Sequence, residues 1–522
     1  MPLRLFCLAL LFSAPLAALP CAPSVFHDSN RNGERDGRER GLPGIRVSDG
    51  ERIVITDKNG IYSLAAEPGK TLFVIKPAGY ALPRRGDGLP DSFANQPGTL
   101  QGLKYGGVTK ADTACRHFAL WPEKKPAKAD MTVLVFGDPQ PKSMKDVGYY
   151  RQDIVQPLVG RHDAVLGISL GDIVHDDLSL HAEVKNADKA LNTPWLYVAG
   201  NHDLDFDAPD DAGSLESFRS QFGPDTFARE ESIANFIVLD DVIYLPGGKP
   251  AYIGGLREAQ FRFLQSYLET ADKTKLLVIS AHIPFFQASP DRETFRSADR
   301  KRLFELLKPF RDVLLLTAHS HTQSHVRHGP ATDWHGAGRL HEYNAGAACG
   351  GYWSGIKDAQ GMPDAAMEDG TPNGYAKLLI AGGGYRLHWF NARQQPNQAM
   401  ALHAPKVLRH GAYPGFAVYA NVFMARHDTV VEVRIDGGAW RPMIRVQQAD
   451  PRVLAINALD DSSAQLRAYD RMPEAADSTH LWRFALPTDL AEGPHAITVR
   501  ARDEWLGTVE QGAQYELRRA DP

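Results

Sequence analysis

The stretch PWLYVAGNHD, residues 194–203, runs an apolar segment straight into a glycine, an amide, an imidazole and a carboxylate. The segment is too short for a helix and is bounded by Pro194 and Gly200, which reads as a buried strand ending in a polar cluster. Four other stretches repeat the design: MTVLVFGDPQ (131–140), DAVLGISLGDIVHD (163–176), KLLVISAHIP (275–284) and DVLLLTAHSH (312–321). Between several of them lie helical patterns. One is GLREAQFRFLQSYLET (255–270), with Leu256, Phe263, Leu264, Tyr267 and Leu268 at helical spacing. Strands buried on both faces and alternating with helices predict an α/β layered core, here residues 131–395.

Outside that core the texture is β. From 21 to 120, GIRVSDG, RIVITDKNGIYSL and KTLFVIKPAGY alternate apolar and polar positions between turns. DKNG (57–60) reads as a hairpin-like turn between two strands. This region resembles the small β-sandwich modules of the carboxypeptidase-regulatory or collagen-adhesin type. Residues 121–130, WPEKKPAKAD, read as a linker. From 396 to 522, VVEVRIDGGAW, HLWRFALPTDL and HAITVRARDEW suggest an immunoglobulin-like sandwich.

The chain has 522 residues, 43% hydrophobic and 23% charged, with a net charge of −5. That length calls for several domains, and that charge offers no attraction to nucleic acid. Residues 1–20 read as a signal peptide: Arg4, an apolar run from Leu5 to Leu19, then Pro20. No later segment is long and apolar enough to span a bilayer, so an exported protein, periplasmic or extracellular, is expected. Nothing in the sequence sets an oligomeric state. With Cys7 in the leader, Cys21, Cys115 and Cys349 remain. Export permits a disulfide, and Cys21 with Cys115, bracketing the first domain, is the favoured pair. The other reading is three unpaired thiols.

The five polar clusters sit where open α/β sheets place their ligands, at the carboxyl ends of the strands. Together they supply Asp, Gln, Asn and His donors, a set suited to two divalent transition metals such as Mn, Fe, Zn or Co. Any one His or Asp could simply cap its strand. Five in this order make that a poor explanation of the whole set.

The order Asp, Gly-Asp, Gly-Asn-His-Asp, His, His-x-His is similar to that of the calcineurin-like metallophosphoesterases. The layout resembles a bacterial group with an N-terminal β-module and a C-terminal sandwich around a layered β-sandwich core flanked by helices. The resemblance implies that Asp172 bridges two metals, with Asp138, Gln140 and His321 completing one site and Asn201, His282 and His319 the other. It further implies a phosphate-ester substrate, attack by a metal-bridging hydroxide, contact of Asn201 with the phosphate, and His202 as general acid. Asp176 or Asp203 is expected to orient a histidine, against plain surface placement.

Two positions depart from the family pattern. Gln140 stands where His is usual and can ligate only through a neutral carbonyl oxygen. Ala318 replaces a Gly, which is tolerated unless the backbone there needs φ > 0. Tyr343, Tyr352, Trp353 and Tyr375, in a glycine-rich segment, are expected to form a substrate surface or else a cover over the sheet edge.

The expected export and the two β-modules point to a phosphodiester or phosphorylated envelope component as substrate. The alternatives are a phosphomonoesterase, including a phosphoprotein phosphatase, and a catalytically silent binding protein.

DSNRNGERDGRE (28–39) places Asp28, Asn30, Asn32, Asp36 and Glu39, with the Glu34 carbonyl, at the positions of a calcium loop whose sharp turn is Gly33. A strand follows it rather than a helix. The segment resembles the structural calcium loops of extracellular β-modules, apart from the chemistry. A solvated charged loop is the alternative, supported by interleaved Arg31, Arg35, Arg38 and Arg40.

Overall fold

A computed structural model of the chain describes residues 22–520 apart from 66, 101, 113–114, 124–129, 287–292, 394–397 and 414–415. The expected signal peptide and Cys21 lie outside the described residues, and so does most of the expected linker.

Two sheets form the central layers. One runs, by position, 195–198, 166–170, 130–136, 374–381, 384–391, with the first three strands parallel and the last two antiparallel. The other runs 227–230, 234–238, 276–280, 312–317, 339–345, 323–327. Its four inner strands are parallel and its two edge strands antiparallel. Every strand predicted to end in a polar cluster is present and belongs to the parallel part of a sheet. Strands 166–170, 195–198, 276–280 and 312–317 are buried at every position, as near-continuous apolar runs require. The helix Glu258–Thr270 buries Phe261, Phe263, Leu264, Tyr267 and Leu268 on one face, the face expected from their spacing.

The N-terminal region forms two small sheets, of three and four strands, around Val25, Val47, Tyr62, Phe118 and Leu120. Its other face is not free. Phe73, Ile75, Leu89 and Phe93 belong to the same apolar cluster as the central sheets. Arg46 pairs with Glu230, and buried Lys76 with Glu231 at 2.8 Å.

DKNG does not join paired strands. Ile53–Ile55 pairs back onto Arg46–Ser48, so the hairpin turn is at 49–52. Asp57 Oδ1 instead accepts the amides of Asn59 and Ile61, and the chain crosses to the other sheet, where Ile61 bridges Ser24. An Asx turn and a hairpin turn share their residues, and only the partner strand distinguishes them. Two further sheets, of four and five strands, make the C-terminal region, with a helix at Pro451–Asp461. No helix among the described residues is long and apolar enough to cross a membrane.

Candidate metal centre

The carboxyl ends of the parallel strands bring the sequence-predicted ligands together. Asp138, Gln140, Asp172, Asn201, His282 and His321 are all buried. Asp172 is central: its Oδ1 lies 3.3 Å from His282 Nε2, and its Oδ2 lies 3.2 Å from Gln140 Nε2. His282 Nε2 is also 3.1 Å from Asn201 Oδ1 and 3.2 Å from His319 Nδ1. On the other side His321 Nε2 lies 3.7 Å from Asp138 Oδ1. Asp172 thus lies between the residues that the family resemblance assigns to two metals.

Local backbone makes this convergence possible. Asp138, Gln140, Asp172, His319 and His321 all have positive φ, between 39° and 70°. Each such residue costs on the order of 1–3 kcal/mol, and such strain collects at functional sites. Ala318 is not among these residues, so its methyl group replaces a glycine at no conformational cost. Gly200 is needed for a different reason. A Cβ there would sit 2.1 Å from the backbone N and 2.2 Å from Oδ1 of Asp172.

Backbone carbonyls fix the imidazoles. His282 Nδ1 donates to Leu170 O at 2.8 Å, and His321 Nδ1 donates to Gly350 O at 2.6 Å. The second bond leaves Nε2 of His321 with a lone pair toward the centre. At His282 the Asp172 and Asp138 carboxylates outweigh burial and raise the pKa to about 10, so its Nε2 takes a metal by giving up a proton. Burial drives the pKa of His319 down to about 3 and that of His321 down to about 4, keeping both neutral as ligands must be. Burial opposes the charge on Asp172, but His282 and His202 outweigh it and hold this carboxyl well below its usual range.

These residues fit a cation. Asp138 Oδ1 is fully buried with no hydrogen-bond donor, and burial with the nearby Asp172 charge pushes its carboxyl up to about 8. A metal ion is the partner that such an oxygen lacks. Gln140 has one end of its amide 3.2 Å from Asp172 Oδ2 and the other 3.7 Å from Cys349 Sγ, and its ligating atom would be the amide oxygen.

His202 stands beside this set. Its amide donates to Asp172 Oδ1 at 2.9 Å, and its Nδ1 lies 2.7 Å from Asp176 Oδ1. Burial disfavours its charge, but Asp172 and Asp176 prevail and raise its pKa to about 9. Asp203 has another task. It accepts from the amides of Ile173, Val174 and Gly200 and from His181 Nε2, tying the Asp172 turn to the Asn201 turn.

Sequence reasoning missed three contributors. Asp241 accepts the amides of His282 and Ile283. His175 stacks on His202 with ring centroids 4.3 Å apart. Lys142 Nζ lies 5.2 Å from the Tyr352 ring. Asp241 follows a buried strand in the sequence much as the ligands do, which was its available signal.

The expected substrate surface is corrected at three of its four residues. Tyr343 is fully buried, stacked on His325 at 4.7 Å, with its hydroxyl donating to Gln323 Oε1. Trp353 is 3% exposed and donates to Pro139 O at 2.9 Å, bracing the Asp138–Gln140 loop from behind. Tyr375 packs between Phe136 and Phe390 in the sheet. The glycines let this segment fold down against the Asp138 loop, where Ala348 N donates to Gly137 O and Cys349 N to Asp138 O. The rings therefore turn inward. Tyr352 alone of the four is half-exposed, stacked on His321 at 4.3 Å.

The N-terminal acidic loop forms its own cluster. Asp28 accepts the amides of Arg31 and Gly33, Glu39 those of Ser29 and Asp36, and Asn30 and Asn32 both donate to Asp36. Glu34 is exposed there, its amide donating to Asn32 Oδ1 at 2.8 Å.

Three family models match the chain in order. Residues 131–323 match the calcineurin-like phosphoesterase model, residues 29–101 its N-terminal model and residues 342–508 its C-terminal model. The chain belongs to the calcineurin-like phosphoesterases. It is therefore a metal-dependent phosphoric ester hydrolase. Among solved structures, this phosphoesterase is similar to a dimetal phosphatase from Danio rerio (14% identity, 50% of this chain and 95% of that one, TM-score 0.35). It is also similar to a purple acid phosphatase from yellow lupin, Lupinus luteus (11% identity, 67% of each chain, TM-score 0.39). A comparison with curated proteins gave no match.

Proposed function

We propose that this phosphoesterase is exported and cleaves a phosphodiester, as a free ester or a phosphorylated envelope component. The roles assigned are those of the converged residues. Asp138, Gln140, His321 and Asp172 would hold one divalent transition metal, and Asp172, Asn201, His282 and His319 the other. When bound, the pair supplies Lewis acidity toward the phosphoryl oxygens and an activated water. Asn201 orients the ester. His202, kept protonated by Asp172 and Asp176, gives its proton to the departing oxygen as general acid. The disulfide bond of Cys115 supports the oxidising compartment that export provides.

The rim around His202 carries the preference for a diester. His175 and Tyr352 offer ring faces there, 6.0 Å apart and nearly perpendicular, while Asp176 adds a negative charge with its side chain 51% exposed. Asp176 is paired with protonated His202, so the charge at the rim is balanced and the preference rests on the rings. A diester has a second substituent for these two rings, which a monoester lacks. Comparing kcat/KM on bis-(p-nitrophenyl) phosphate and p-nitrophenyl phosphate tests this. The diester is expected to be the better substrate, and a clear preference for the monoester would replace the reading with a phosphomonoesterase.

A further inference from the structure

The edge of the second sheet carries a cleft that the chemistry at the metal centre does not use. Strands 323–327 and 339–345 are antiparallel: Gln323 pairs with Ala345 at the metal end and Arg327 with His341 at the other. Four strand residues separate the two ends, about 13 Å. At the far end, the turn that carries Trp505 in the C-terminal region meets Tyr385 and His341, with ring centroids 5.9 Å apart in each case. The cleft between these elements has a volume of about 1020 Å³, the size of a ligand site rather than a packing defect.

Its walls combine cations and rings. Arg327 and Arg386 are exposed and have no carboxylate partner among the described residues. Arg426 is 4% exposed and lies over Trp505, with Cζ 4.5 Å from the ring centroid. Asp428 accepts from its Nε and Nη2, while its Nη1 is buried without a hydrogen-bond acceptor, Glu504 standing 3.9 Å away. Two carboxylates thus stand beside Arg426, whose part is to hold Trp505 at the cleft wall. Trp334 and Tyr385 line the same cleft. Arginines match carboxylate, sulfate or phosphate oxygens, and aromatic faces match rings.

We propose that this cleft binds an acidic glycan, with Arg327 and Arg386 taking its anionic groups and Tyr385 and Trp505, the latter held by Arg426, its ring faces. The ligand sits at the junction of core and C-terminal region, apart from the hydrolytic centre.

The test is calorimetric titration of the full chain with a heparin-derived tetrasaccharide and an oligogalacturonate of the same length. Maltotetraose and ADP serve as controls. At least one acidic oligosaccharide is expected to bind saturably at one site, and maltotetraose at least tenfold more weakly. Arg327→Ala/Arg386→Ala is expected to lower that affinity at least tenfold, with turnover of bis-(p-nitrophenyl) phosphate unchanged. Arg327→Lys/Arg386→Lys should recover part of it. Binding that survives Arg327→Ala/Arg386→Ala would overturn the assignment to this cleft. Absence of binding by both acidic oligosaccharides, or binding of ADP in their place, would overturn the ligand class.

Discussion

His202 Nδ1 lies 2.7 Å from Asp176 Oδ1, and the amide of the same histidine donates to Asp172. One residue is thus tied both to the carboxylate at the middle of the metal centre and to a carboxylate at its rim. Removing the rim carboxylate should lower the pKa of His202 and move the alkaline limb of the kcat profile to lower pH. Asp176→Asn is expected to reduce kcat roughly 10–100-fold near pH 8 and to recover part of the loss at lower pH. A pH profile of kcat from pH 5 to 10 checks it. An unshifted alkaline limb would mean that Asp176 only decorates the surface.

Gly200 is where Asp172 and the Asn201 turn come closest. Because a Cβ would fall 2.1 Å from the Asp172 nitrogen, Gly200→Ala must push the central ligand out of place. Metal content is expected to fall below one ion per chain and turnover to be lost, with the thermal midpoint of folding still measurable. Metal analysis with a melting curve decides it.

Asp188 provides a pH dependence away from the centre. Burial pushes its carboxyl up to about 7, although the hydroxyls of Tyr150 and Tyr197 donate to it. The native state then keeps a proton that the unfolded chain releases above pH ~4. Stability should therefore fall as pH rises from about 4 to about 7, by up to ~1.4 kcal/mol per pH unit, and level off above. In Asp188→Asn this slope should be missing. Thermal midpoints of both proteins from pH 4 to 8 measure the difference.

Tyr352 and Tyr343 should separate recognition from packing. Tyr352→Ala removes a ring stacked on His321, and should weaken kcat/KM for the aryl diester by about 1 kcal/mol, roughly fivefold. Tyr343→Phe loses the bond to Gln323 and should cost about 1 kcal/mol of stability without changing KM. Steady-state kinetics and denaturation of the two variants give the comparison.

How far the sequence could be read follows from where each kind of information resides. The strands leading to Asp138, Asp172, Asn201, His282 and His319 were legible because burial on both faces forces unbroken apolar runs, and ligands at their ends break them. The orienting groups for His282 and His321 are the carbonyls of Leu170 and Gly350, and a carbonyl has no sequence letter. The inward turn of Tyr343, Trp353 and Tyr375 depends on which way a glycine-rich segment folds, and its composition is the same either way. The docking of Phe73 and Phe93 onto the core was likewise hidden, since contacts between modules carry no period.

The most direct test joins metal analysis of the purified protein to the turnover of Asp172→Ala on bis-(p-nitrophenyl) phosphate. About two transition-metal ions per chain are expected in the native protein, with fewer in the variant and no turnover by it. Turnover by Asp172→Ala equal to that of the native chain, or a native protein active with no transition metal bound, would contradict the dinuclear centre built around Asp172.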